Sequence, residues 1–209
     1  MLLRNISSLL LILFYVGCSE KNDLKNASLP NDFADHMVNS GVSTWNFSPK
    51  NPLLDSGKIV ITSRINEVVS KEIISKLLYL DGKVNSIDLY LRTTGGWIND
   101  AFAIIDIMKS IKTPVNVHAI GICQSAGSII LIGATGKRVA YKNSDIALHF
   151  NRDDDDDSYS MEKINRERFE RLFKERTKLP SEWYPLTGDR SLHLTANEAL
   201  RLGVIDTIK

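Results

Sequence analysis

VNVHAIGICQSAGSIILIGA, residues 115–134, passes from a β-rich run into an apolar run of helical length, with Gly121, Ser125 and Gly127 at the join. VNVHAIG (115–121) predicts a strand and SAGSIILIGA (125–134) a helix. Ser125 at that junction has two readings. It is either a nucleophile presented by a turn or the cap of a buried helix, and a lone serine at a helix start is most often a cap.

The same alternation continues upstream. KIVITSRI (58–65) reads as a strand, and EVVSKEIISKLLYL (67–80) as a helix with Val68, Ile73, Leu77 and Leu80 on one face. SIDLYLR (86–92) is again strand-like and NDAFAIIDIMKSI (99–111) again helical. Strict alternation predicts βαβ crossovers and an α/β layered fold. Ligands in such folds gather at the carboxyl ends of strands, which directs attention to the turns after Arg92 and after Gly121. The first turn, RTTGGWIND (92–100), holds Gly95 and Gly96 just before a helix. Paired glycines let backbone approach a ligand closely, and a helix start supplies N–H groups without partners.

Composition narrows the function classes. The 209 residues are 43% hydrophobic and 24% charged, as expected for a globular domain with a real core. Lys and Arg total 26 against 25 Asp and Glu, so no basic field exists to favour nucleic acid as a partner. There is no phosphate-binding Gly-x-x-x-x-Gly-Lys-Ser/Thr loop, and two cysteines, Cys18 and Cys123, cannot form a metal cluster. No cofactor and no metal are expected.

Residues 1–17 carry one charge, Arg4, ahead of an apolar run from Leu9 to Val16. That run is too short to span a bilayer, which takes roughly 20 residues, and reads as the core of a secretion signal. The segment YVGC (15–18) resembles the lipobox of bacterial lipoproteins, which implies cleavage after residue 17 and a lipid on Cys18. Loss of residues 1–17 removes Arg4 alone among the charges and leaves the mature chain neutral. The expected location is the bacterial cell envelope, lipid-anchored and facing the periplasm or exterior, because acyl chains anchor at about 0.8 kcal/mol per buried methylene. With Cys18 lipidated, Cys123 has no disulfide partner. Residues 18–56 read as a polar tether and an N-terminal arm containing Trp45, Phe47 and Leu53, and 57–209 as the α/β domain.

Taken together, LYLRTTGGWINDAFAIIDIM (89–108) and VHAIGICQSAGSIILIGATGKRVAYKNSDIALHF (117–150) resemble the Clp-type serine peptidases. In that ClpP-like family a strand ends in a Gly-Gly turn and the next ends in a Gly-x-x-x-Ser turn bearing the nucleophile. GATGKR (133–138) matches the family's Gly-Lys-Arg turn, and His149 in NSDIALH falls on its catalytic histidine. The resemblance runs from about Ile59 to Ile208 and implies a ClpP/crotonase-like fold of repeated ββα and βαβ units with a protruding handle-like helix.

The chemistry follows the same residues. A serine hydroxyl is a poor nucleophile without an adjacent base, and histidine has the pKa suited to neutral pH. Of the four histidines, His36 lies in the arm, His118 reads as a satisfied sheet residue, and His193 is unassigned; His149, ending a strand, is the candidate base. The resemblance implies that the amides of Gly96 and Ala126 stabilise the oxyanion, each such donor contributing about 3 kcal/mol. It also implies an acid just before LTANEALRLGVID (194–206) to orient the histidine. An ungapped count reaches Ser191, whereas a two-residue insertion brings in Asp189, the expected third member. Thr195 and Glu198 form a capping-box pattern, Gly203 ends the helix, and Val204–Asp206 begin a strand.

In the segment between, Met161, Ile164, Phe169 and Leu172 recur at helical intervals, with Phe173 beside the last, and predict the handle. Asp153 to Asp157 read as a solvated loop; calcium is disfavoured because the run lacks the glycine and terminal Glu of a calcium loop. The function expected is hydrolysis of short or unfolded peptides through an acyl-enzyme, by a homo-oligomer out of reach of cytoplasmic ATPases and without ATP. The alternative is a non-catalytic ClpP-like module holding an extended peptide at the membrane surface. Acyl-CoA chemistry is disfavoured by the Ser/His pair.

Overall fold

The computed structural model describes residues 51–149, 161–183 and 191–209. Cys18, His36, Trp45, Phe47, Asp153 to Asp157 and Asp189 lie outside them. A short helix, α1 (Pro52–Asp55), is capped by Asn51 and sends Leu54 into the core, while Leu53 stays exposed. The strands and helices then alternate: β1 (Lys58–Ile61), α2 (Glu67–Leu80), β2 (Ile87–Thr93), α3 (Ile98–Ser110), β3 (Val115–Gln124) and α4 (Ala126–Ile132). β4 (Arg138–Ala140), β5 (Asp145–Leu148), α5 (Met161–Arg176), a 3₁₀ turn (Ser181–Trp183), β6 (Leu192–Thr195), α6 (Ala196–Arg201) and β7 (Thr207–Ile208) complete them.

The mostly parallel sheet runs β1-β2-β3-β4-β7, with β5 paired to β3 and β6 antiparallel to β5. This is the α/β fold expected. Its core is aliphatic: Ile87, Leu89 and Leu91 of β2 and Val115 and Val117 of β3 are fully buried against Ile73 and Leu77 of α2 and Ile104 and Ile105 of α3. The α2 face differs from expectation at one end. Val68 is exposed, and Ser70 fills the buried row with Ile73, Leu77 and Leu80, its Oγ 2.7 Å from Asp100 Oδ1 on α3. Five residues from 68 to 73 overshoot a 3.6-residue turn, whereas three from 70 to 73 stay on one face.

β3 also departs from the expected path. Its strand does not stop at Gly121 but continues to Gln124, changing partners on the way. Val117–Ala119 pair with β4, and Ile122–Gln124 pair with β5. Gly121 sits between the two pairings at φ 64°, a conformation that favours glycine, and the ladder to β2 slips between Leu91 and Thr93 at the same level. The expected Gly-x-x-x-Ser turn is therefore a kinked strand that stays beside β2 and brings Ser125 to β5.

On α5, Asn165, Phe169, Leu172 and Phe173 are buried, and the Phe169 and Phe173 rings stack at 3.9 Å. Ile164 is exposed instead of buried. At the far edge, β7 starts at Thr207, three residues later than the strand expected from Val204. Arg138 closes that edge, donating to both Asp206 carboxylate oxygens and to the carbonyls of Arg176 and Gly203. Arg138→Ala is expected to cost about 1–2 kcal/mol in a urea titration, since four charge-assisted bonds are lost but water reaches the exposed Asp206. Burial raises the Asp206 carboxyl, but the hydrogen bonds and charge of Arg138 more than offset this and hold it below its usual value. A lowered folded value means that the pair stabilises above the unfolded value and loses its effect as pH falls through the folded one. The Arg138→Ala penalty should accordingly shrink in acid.

Candidate active site

Ser125 is the only non-glycine residue at positive φ among those described, with φ 54° and ψ −124°. It occupies the cap position of α4, yet its side chain makes no capping bond. The capping reading therefore fails on geometry. A strained conformation of this kind costs about 1–3 kcal/mol and persists only where its surroundings hold it. Here the Ser125 N–H donates to Ala147 O on β5 at 2.9 Å, and the Ile129 N–H to Ser125 O at 3.2 Å. Ser128, fully buried, places its Oγ 2.6 Å from Ser125 O and 3.0 Å from Ala147 O. Sequence reasoning passed over Ser128; a hydroxyl on the buried side of an apolar helix, three residues after the elbow, was the available signal.

The two glycines of the first turn meet this elbow directly. A Cβ on Gly95 would lie 2.5 Å from Ser125 Cβ and 3.0 Å from Ser125 Oγ. On Gly96 it would lie 1.9 Å from Ile65 O. Both residues are at positive φ, 102° and 151°. The Ile65 N–H donates to Gly95 O at 2.8 Å and the Trp97 N–H to Ile65 O at 3.0 Å, so the Gly96 N–H takes no part in this pairing and turns away from Ile65. Thr93, buried, accepts the Gly95 N–H at 3.0 Å, and the absence of a side chain on Gly127 leaves room for its methyl, which would lie 2.4 Å from an added Cβ. Thr93 too was missed, although Thr two residues before a glycine is a local turn signal. Ala126 is the first residue of α4, where an N–H has no acceptor within the helix. Gly95 of the first turn thus lies against Ser125, and the first N–H of α4 follows that serine directly.

The candidate base arrives through β5. Gln124 pairs with Ala147, and His149, half-buried, follows two residues beyond the carbonyl that holds the Ser125 amide. Ser125 and His149 therefore leave neighbouring parallel strands at the same end of the sheet. On its other side β5 pairs with β6, and the ladder ends at Leu148 with Leu192, one residue short of His149 and of Ser191.

The remaining described histidines are held elsewhere. His118, buried, lies seven residues upstream on β3, about 20 Å along a strand. Its Nε2 is 3.0 Å from Asp88 Oδ1 and its ring stacks on Tyr90, but Nδ1 has no partner among the described residues, so it is half-satisfied rather than fully so. Burial raises the Asp88 carboxyl, yet hydrogen bonds from Asn116 and His118 bring it below its usual value. His193 is exposed and sits 3.0 Å from Asp145 Oδ1. Cys123 is fully buried, its thiol pushed up to about 12, which makes it inert as a nucleophile. The capping box formed by Thr195 and Glu198 is present as expected.

The family model described as Clp protease matches residues 43–209. The ATP-dependent Clp protease proteolytic subunit 2 of Bacillus licheniformis is 34% identical over 166 residues, covering 75% of this chain and 87% of its own length. Among solved structures, a ClpP1 point mutant from Listeria monocytogenes aligns with a TM-score of 0.67 at 27% identity, over 75% of this chain and 93% of its own.

Proposed function

Because the chain belongs to the Clp protease family, we propose that it is a serine peptidase in which Ser125 attacks a peptide carbonyl and His149 carries the proton. The observation that supports this most is the Ser125 elbow, strained, uncapped and pressed against Gly95. His149 accepts the Ser125 proton as the hydroxyl adds to the carbonyl carbon, and the Gly96 and Ala126 amides receive the oxyanion. The tetrahedral adduct collapses, the leaving amine takes the proton from His149, and an acyl-Ser125 ester remains. His149 then takes a proton from water as its oxygen adds to the ester carbon, the bond to Ser125 breaks to release the carboxylic acid product, and His149 returns the proton to the Ser125 oxygen. A purely binding role leaves the strain at Ser125 without a purpose.

For the group that orients His149 we take Asp189, with Ser191, which directly precedes β6, as the alternative. If Ser191 acts, Ser191→Ala lowers kcat/KM on a fluorogenic peptide while Asp189→Asn leaves it near the parent value. If the acid acts instead, Asp189→Asn causes the larger loss, up to about 10⁴-fold.

The setting we propose is the cell envelope, with lipid on Cys18 and copies of the chain assembled as a homo-oligomer. Outside the cytoplasm no ATPase feeds it, so its substrates are short or unfolded peptides cleaved without ATP. Mass spectrometry of the membrane fraction should find acyl chains on Cys18, and an intact Met1 would contradict this setting. The peptidase reading itself is tested with a fluorophosphonate probe. The parent protein should be labelled and Ser125→Ala should not, with His149→Ala strongly slowed. Labelling that survives Ser125→Ala rejects the assignment.

A further inference from the structure

Ser128 carries the one side-chain hydroxyl on α4, a helix whose residues are all buried. Alanine would suit such a helix better, and a hydroxyl taken out of water is costly unless it is bonded. This one has two acceptors, Ser125 O at 2.6 Å and Ala147 O at 3.0 Å. A hydroxyl has a single hydrogen to donate, so the two carbonyls share it. Neither carbonyl depends on it. Ser125 O also accepts the Ile129 N–H at 3.2 Å, and Ala147 O the Ser125 N–H at 2.9 Å. Satisfying the backbone therefore gives no reason for a serine at 128, whereas placement does.

The two carbonyls belong to the two segments that the reaction must hold at a fixed separation. Ser125 O is on the nucleophile's own residue, the one strained at φ 54°. Ala147 O is on β5, two residues and about 7 Å along the strand before His149. A hydroxyl set between them opposes two movements, rotation of Ser125 out of its strained conformation and drift of β5 away from the elbow. We propose that Ser128 is a positioning residue, fixing Ser125 relative to the strand that carries His149 by a bridge from α4 to β5, an inference that rests on the peptidase reading above. Misplacing a reacting group by about 1 Å costs rate far more than it costs stability, so the bridge acts on the chemical step.

The test compares Ser128→Ala with the parent in the full chain. Alanine suits a helix and leaves neither carbonyl without a partner, so the thermal midpoint should stay within about 3 °C of the parent. Fluorophosphonate labelling should nevertheless slow by about 10–10²-fold. On a fluorogenic peptide the loss should fall on kcat, with KM within about 2-fold. Ser128→Cys, whose thiol is a weak donor, should recover part of the rate. One readout is independent of catalysis: hydrogen–deuterium exchange of the Ser125 amide, which donates to Ala147 O, should run roughly 10-fold faster in Ser128→Ala. Labelling within about 2-fold of the parent, a loss that falls on KM, or unchanged exchange at Ser125 overturns the proposal. So does a rate loss accompanied by a drop in midpoint of more than about 10 °C, which would make Ser128 a packing residue. A parent that does not react with fluorophosphonate rejects the peptidase reading, and the exchange at Ser125 then decides by itself whether Ser128 fixes the elbow.

Discussion

Ser125→Gly should give a protein that no longer reacts with fluorophosphonate or cleaves peptides, yet unfolds at a higher temperature than its parent. The activity loss follows from removing the attacking oxygen and should reach at least ~10³-fold. The gain in stability follows from φ 54° and ψ −124°, which an L-residue adopts under strain and glycine adopts freely. Relief of about 1–3 kcal/mol is partly offset by the greater freedom of glycine in the unfolded chain, about 0.5–1 kcal/mol. The net of about 1 kcal/mol corresponds to roughly 2–4 °C in a chain of this size. Ser125→Ala separates the two effects, since it removes the oxygen and keeps the strain: activity vanishes without the gain. A Ser125→Gly protein less stable than the alanine variant would mean that the elbow is not strained.

Among the described glycines, Gly96→Ala should be the most damaging added methyl. The added Cβ would sit 1.9 Å from Ile65 O, and backbone cannot yield as a flexible side chain does. Either the Ile65–Gly96 bridge opens or the 95–97 segment rotates, and both move the Gly96 N–H. Loss of one oxyanion donor lowers kcat by about 10²–10³-fold. Breaking the bridge adds a stability loss of about 1–3 kcal/mol, the cost of backbone groups left unpaired. Gly95→Ala should act at a different place. Its Cβ would lie 2.5 Å from Ser125 Cβ and 2.9 Å from Gln124 O, so the backbone that must yield is that of the elbow itself, and the bridge to Ile65 has no direct clash. Stopped-flow labelling with urea titration on the two variants should show both losing rate and stability together, Gly96→Ala through the Ile65 bridge and Gly95→Ala through the elbow. Equal rates for Gly96→Ala and the parent would remove Gly96 from the oxyanion site.

Much of this was legible from residue pattern, for local reasons. The alternation of strand and helix from Lys58 to Ile132 is written in hydrophobic period and in the residues between elements. The capping box at Thr195 and Glu198 depends on two side chains three residues apart. What failed did so where a distant partner overrode the local signal. Val68 looked like a member of the α2 stripe until the sheet and α3 selected Ser70, which Asp100 satisfies. Gly121 looked like the end of a strand because glycine weakens strands. β5, arriving from twenty-odd residues downstream, gave the strand a new neighbour and carried it on to Gln124.

The sequence by itself determined which residue types could do chemistry and in what order along the chain: paired glycines, a serine at a strand–helix junction, a histidine ending a later strand. Tertiary structure alone decided their meaning. Whether Ser125 caps a helix or presents a nucleophile depends on a backbone angle, and that angle is held by the Ala147 carbonyl, by Ser128 and by the space left at Gly95. None of these is adjacent to Ser125 in a way that local propensity can express. Strain is sustained only by contacts made after the chain has closed on itself, and so it becomes visible only in the folded molecule.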